Sequence, residues 1–168
     1  SWNLDLGLYE ELEREDRAFA KIESNLYFYY TIGRTKTTVA MRIGGAHIVG
    51  DAPFFKVSTL SGNQGLGQLG NLRGMRRNRF SGQSVLYHNF EIRQSIAHFK
   101  TYLATFEVGL SILMDQGRVW QQGENFNKWH RGVGGGPWVN LYEKLIISAT
   151  YTKSDVDSAV DVQLGFLF

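Results

Sequence analysis

The chain has 168 residues, no Cys, two Pro and nineteen Gly; 43% are hydrophobic and 20% charged. That suits one ordered domain and excludes a disulfide scaffold and a Cys-based zinc site. A formal charge of +2, no window near 18 consecutive apolar residues and no basic, apolar leader after Ser1 argue against a nucleic-acid partner, a membrane helix and a signal peptide.

Trp2, Leu4, Leu6 and Leu8 alternate with Asn3, Asp5, Gly7 and Tyr9, the period of two that a strand requires. The pattern returns in Ala20 to Ile32, in Val39 to Gly44, in Leu86 to Arg93 and in Thr105 to Asp115. Val133 to Leu141, Leu145 to Tyr151 and Val160 to Phe168 complete eight strands. Connections near 33–37, 98–102 and 142–144 are short, whereas those at 10–16, 50–82, 115–130 and 153–157 are longer and polar. Short turns on one rim and long loops on the other are the layout of bacterial outer-membrane barrels, which places both termini in the periplasm. The expected fold is all-β: a transmembrane antiparallel up-and-down barrel of eight strands, residues 1–168 forming one domain with a long extracellular loop at about 50–83.

Alternation does not say which face meets the solvent, and a soluble ligand-binding barrel of lipocalin type has the same period. The placement of charge and aromatics favours lipid. Asp5, Lys21, Glu23, Arg42, Glu91, Arg93, Glu107, Asp115 and Asp161 gather on the polar face, and the apolar face has almost none. Tyr27, Tyr29, Tyr30, Trp120, Trp129, Trp138 and Tyr151 lie mostly toward strand ends, where a membrane girdle needs amphipathic rings.

Residues 65–94 read GLGQLGNLRGMRRNRFSGQSVLYHNFEIRQ, and the fifth strand runs into ILMDQGRVW. Together these resemble the C-terminal barrel of the BamA/TamA-type outer-membrane superfamily, the bacterial surface antigen barrel. In that family a loop with an aliphatic-Arg-Gly-aromatic motif precedes a strand carrying Glu and then a strand ending in Asp-x-Gly-x-Val-Trp. Leu72, Arg73, Gly74 and Met75 match the loop motif, Met75 standing where the family has an aromatic; Glu91 matches the acid; Asp115, Gly117, Val119 and Trp120 match the strand end. Gly165, Phe166 and the terminal Phe168 resemble the signal by which barrel assembly machinery recognises its substrates. The resemblance covers the family's C-terminal half and implies an outer-membrane barrel related to protein assembly and translocation, with that machinery and outer-membrane lipid as its partners.

The residues also argue for themselves. Glu91 and Asp115 share the polar face, and two carboxylates facing a confined lumen repel unless a cation sits between them. Arg73 can bond both with its planar fork, and Gly74 lets the loop backbone approach the wall. The alternative places Arg73 with Arg76, Arg77 and Arg79 in a solvated basic cluster.

Family barrels have about sixteen strands behind periplasmic POTRA domains, and this chain has half the strands and no such domain. An open sheet edge in lipid leaves backbone groups unpaired at several kcal/mol each, so the sheet must close, alone or with a second copy as a homodimer, unless the chain is a fragment. Closure alone is the simpler expectation and would fold the loop over the mouth, because eight strands enclose little more than their own side chains. A homodimer would leave room for Arg73 to reach the wall.

A minimal or passive barrel without insertase activity is therefore expected. An outer-membrane lipid-modifying enzyme is the second reading. No Ser is spaced to pair with a His and an acid in any readable motif, so His47, His88, His98 and His130 read as satisfied or solvated, and no catalytic residue is assigned. The GVGGG run at 132–136 precedes Pro137 and a strand, so it is no phosphate loop; a Gly-lined strand leaving space in the lumen fits it. Acids and His show no ligand spacing, and neither metal nor cofactor is expected.

Overall fold

The computed structural model describes residues 2–10, 18–33, 35–50, 58–60, 70–76, 79–102, 105–121, 128–142 and 144–166; for 2–10 and 18 this is the backbone alone. Ten strands follow in chain order: β1 (Trp2–Glu10), β2 (Ala18–Ile32), β3 (Thr37–Gly50), β4 (Ser58–Leu60), β5 (Phe80–Gly82), β6 (Ser84–Lys100), β7 (Thr105–Trp120), β8 (His130–Leu141), β9 (Leu145–Ser154) and β10 (Ser158–Leu164). Eight form one antiparallel sheet in the order β1-β2-β3-β6-β7-β8-β9-β10. β4 and β5 pair separately, between β3 and β6 in sequence. The eight strands of the sheet are those the alternation marks.

Several boundaries move. β7 runs on to Trp120, so the connection beyond Asp115 starts five residues later than expected. His98 lies within β6 rather than in a turn, because a bulge between Ser95 and Ala97 absorbs one residue and lets pairing continue to Lys100. The expected long connection at 153–157 is a tight turn: the Ser154 amide donates to the Asp157 carbonyl at 2.8 Å, and the Asp157 amide donates to Ser154 Oγ at 2.9 Å.

Among the described residues no ladder joins β1 to β10, so the sheet is open and the self-closed eight-stranded cylinder is not observed. The physical reason lies on the charged face, called the inner face below. Segment 70–76 and the β4–β5 hairpin pack there, and an eight-stranded cylinder has no room for them.

The two faces have opposite character, as β7 shows. Gly109, Ser111, Leu113, Asp115 and Gly117 are buried inward, while Leu110 and Ile112 point out and are 50% and 69% exposed. Buried Arg42, Asn89, Glu91, Arg93, Ser148, Thr150, Thr152 and Gln163 extend the polar inner face, and exposed Ile22, Phe28, Leu86, Val133, Val160 and Val162 extend the apolar outer one. The only apolar core cluster among the described residues lies between the loop and the inner face: Ala46, Leu60, Leu72, Met75, Val85 and Tyr87, with Phe80 and Val119 against it.

Candidate loop-anchoring site

Cross-strand register sets the acids. Asn89 of β6 faces Asp115 of β7, and Glu91 faces Leu113, so the two carboxylates are diagonal neighbours on the inner face. Into this gap the loop inserts Arg73, which has no exposed surface. Its Nε and Nη2 donate to Asp115 Oδ2 and Oδ1, both at 2.8 Å, and Nη1 donates to Glu91 Oε2 at 2.6 Å. The Arg73 amide donates to Asp115 Oδ2 at 3.0 Å. Arg93 Nε meets the other Glu91 oxygen at 2.9 Å, so two guanidinium groups balance two carboxylates. Burial alone would lower the pKa of Arg73, but Asp115 and then Glu91 outweigh it and hold the proton more firmly than usual. Arg73 is thus part of the wall's ion network, not of a solvated cluster, and the loop reaches the wall instead of folding over the mouth.

Gly74 follows in the left-handed region at φ 77°, and a Cβ there would come within 3.0 Å of the Thr152 carbonyl oxygen. Gly132 of β8 gives the matching space, since a Cβ on it would sit 2.5 Å from the Arg73 carbonyl oxygen. The Gly-rich strand therefore leaves inner space for the loop backbone. Ser154 Oγ donates to the Gly74 carbonyl at 2.9 Å, and Arg76 Nε reaches Asp157 Oδ2 at 2.7 Å. Leu72 and Met75 flank the arginine within the apolar cluster. Val119 packs on that cluster, Gly117 is buried inward, and Trp120 ends β7 at the rim beneath the Arg118 guanidinium.

Two anchors were not assigned from sequence. Arg42 donates through Nε to Asn89 Oδ1 at 2.8 Å and through Nη2 to the Gly70 carbonyl at 3.1 Å, and Asn89 Nδ2 donates to the Asn71 carbonyl at 3.0 Å. Alternation does place both on the polar face. Spacing could not show that their partners are backbone carbonyls of a loop some 18 to 28 residues away.

The C-terminal residues depart from expectation. Gly165 has φ 96° and ends β10 at Leu164, which turns Phe166 onto the inner face instead of continuing the outward series Val160, Val162, Leu164. The Phe166 ring lies 3.7 Å from the Arg93 guanidinium carbon and meets Trp138 edge-on at 5.7 Å. A guanidinium drawn out of water gains from an aromatic face, which accounts for the contact. Trp138, expected in an outer girdle, is accordingly an inner residue, 7% exposed. Phe168 lies outside the described residues.

His47 Nδ1 lies 2.7 Å from Ser84 Oγ, a pair that sequence spacing did not suggest, although the two face each other in the β3–β6 register. Among the described residues no carboxylate pairs with either of them. His88 meets Gln116 at 3.1 Å, and His130 meets Asp155 at 3.3 Å. Among the described residues no three His, Asp or Glu gather as a metal site. The chain matches no known family model, curated protein or solved structure.

Proposed function

We propose that this chain is an integral part of a bacterial outer-membrane β-barrel resembling the C-terminal half of the BamA/TamA-type barrels. It serves as a passive wall, with its long loop locked inside and no catalytic chemistry. The observation that carries this reading is the inverted polarity: an inner face with a buried four-residue ion network and an outer face rich in exposed aliphatic side chains. Outer-membrane lipid covers the apolar face, the termini lie in the periplasm, and the C-terminal segment from Gly165 meets the barrel assembly machinery before insertion.

Closure is part of the same proposal. Because β1 and β10 end the sheet and the inner face already holds the loop, the cylinder is wider than eight strands, and a second copy completes it as a homodimer.

Fractionation tests the membrane reading. The protein should sediment with outer membranes, need detergent for extraction and migrate differently on gels before and after boiling; a monodisperse protein in plain buffer overturns it. Passive behaviour is tested in liposomes, where the protein should leave the folding rate of a second barrel unchanged.

A further inference from the structure

At the rim carrying the long connections, loop, wall and turn enclose a cleft of about 430 Å³. β5 contributes Phe80, β7 contributes Val119, the segment entering β8 contributes Lys128 and β8 itself His130, and the β9–β10 turn contributes Val156, with Arg79 at the edge. A smaller cleft of about 160 Å³ adjoins it through Arg79 and Val156 and adds Met75, Arg76 and Asp157. Together they make a groove with an apolar floor and cationic edges.

The groove's charges are arranged, not scattered. Asp155 accepts Lys128 Nζ at 3.1 Å and lies 3.3 Å from His130 Nδ1; Asp157 accepts Arg76 at 2.7 Å. Both carboxylates are therefore engaged. Arg79 has only the edge of this network: its guanidinium carbon is 5.9 Å from the centre of the Phe80 ring, and among the described residues it forms no ion pair. Among the described residues three permanent cations thus face two engaged acids; Arg76 and Lys128 are the paired ones, so the positive excess lies on Arg79. The Phe80 and His130 rings stack at 3.7 Å, which fixes the floor. A volume of this order suits a small organic ligand rather than a single ion.

We infer that this groove binds a phosphorylated saccharide, its phosphate on Arg79 and Lys128 and its ring C–H face on Phe80, Val119 and Val156. A guanidinium fork and an ammonium are the groups that hold phosphate, whereas a neutral sugar would leave the excess charge unanswered. Two sources carry this chemistry: the headgroup of an outer-leaflet phosphoglycolipid and a free sugar phosphate. The lipid source rests on the membrane reading above, because only an inserted wall brings this rim to the headgroup level; the groove itself does not depend on it.

The test titrates detergent-solubilised protein with a phosphorylated glucosamine disaccharide and with its dephosphorylated form, following 31P line broadening of the first and tryptophan fluorescence for both. The phosphorylated form should bind, the neutral form at least tenfold more weakly, and R79A/K128A should lose about tenfold or more for the former only. R79K/K128R keeps both charges and should retain most of the affinity, and the boiling-dependent gel shift of each variant shows that it is folded. Equal affinity for both sugars, or binding indifferent to R79A/K128A, overturns the inference. Nanodiscs with and without a phosphoglycolipid separate the sources: competition by the lipid against the free disaccharide identifies the headgroup, and lack of competition in protein shown to be inserted assigns the groove to the free sugar phosphate. A protein that never inserts refutes the membrane reading while leaving the disaccharide result intact.

Discussion

Replacing Arg73 by Met keeps much of the side-chain volume and removes the charge between Glu91 and Asp115. Both acids are buried, at 1% and 0% exposure, and among the described residues Asp115 pairs with no other cation. Removing one partner of a buried ion pair leaves an uncompensated charge, at a cost of about 3–5 kcal/mol. That is a large share of the roughly 5–15 kcal/mol by which a domain is stable. The charge imbalance, more than the lost hydrogen bonds, sets this figure, so R73M/D115N, which leaves Glu91 paired with Arg93, should recover most of it and fall within about 1.5 kcal/mol of wild type. Urea unfolding in detergent micelles, followed by the four tryptophans, reads both variants. A single variant within about 1 kcal/mol of wild type, or a double variant less stable than the single one, would refute the assignment of Arg73 as the charge that holds the loop.

Further outcomes follow from the same geometry. Ile112→Arg, at the middle of β7 and 69% exposed, should cost about 2–4 kcal/mol in a bilayer, because the arginine meets lipid; in a soluble protein so exposed a change would stay within about 0.5 kcal/mol. Gly132→Ala pushes on the backbone carbonyl of residue 73 and should cost about 1–3 kcal/mol; Gly165→Ala meets nothing within 4 Å and should show only the strain of its φ of 96°. Cysteines introduced along β1 and β10 of this Cys-free chain should cross-link between two copies, giving a dimer band; a purely intramolecular link would restore closure by one chain. The Ser158 amide and then Arg76 hold the Asp157 carboxyl below its ordinary value of 3.8, so its contribution is present above that pH and is lost as pH falls through the lowered value; D157N should remove this acid-side loss from a pH titration of unfolding.

Much of this molecule was readable along the chain. A strand's period of two is a local property, so Leu110 and Ile112 could be set against Ser111 and Asp115, and Glu91 placed beside Asp115, without any coordinates. Arg73 could be matched to those acids because two carboxylates on one dry face need a cation and a fork-shaped one serves both. Contacts between distant segments were another matter. Arg42 and Asn89 could be placed on the inner face, but not against loop carbonyls; nor could Ser84 be joined to His47, nor Lys128 gathered with Arg79 around one groove. The turn of Phe166 onto Arg93 depends on a single left-handed glycine that breaks the alternation the sequence otherwise follows. Whether the sheet closes on itself was likewise decided in three dimensions, since it depends on how much volume the inner face must hold, and the volume occupied by a buried loop is not a periodic property of any strand.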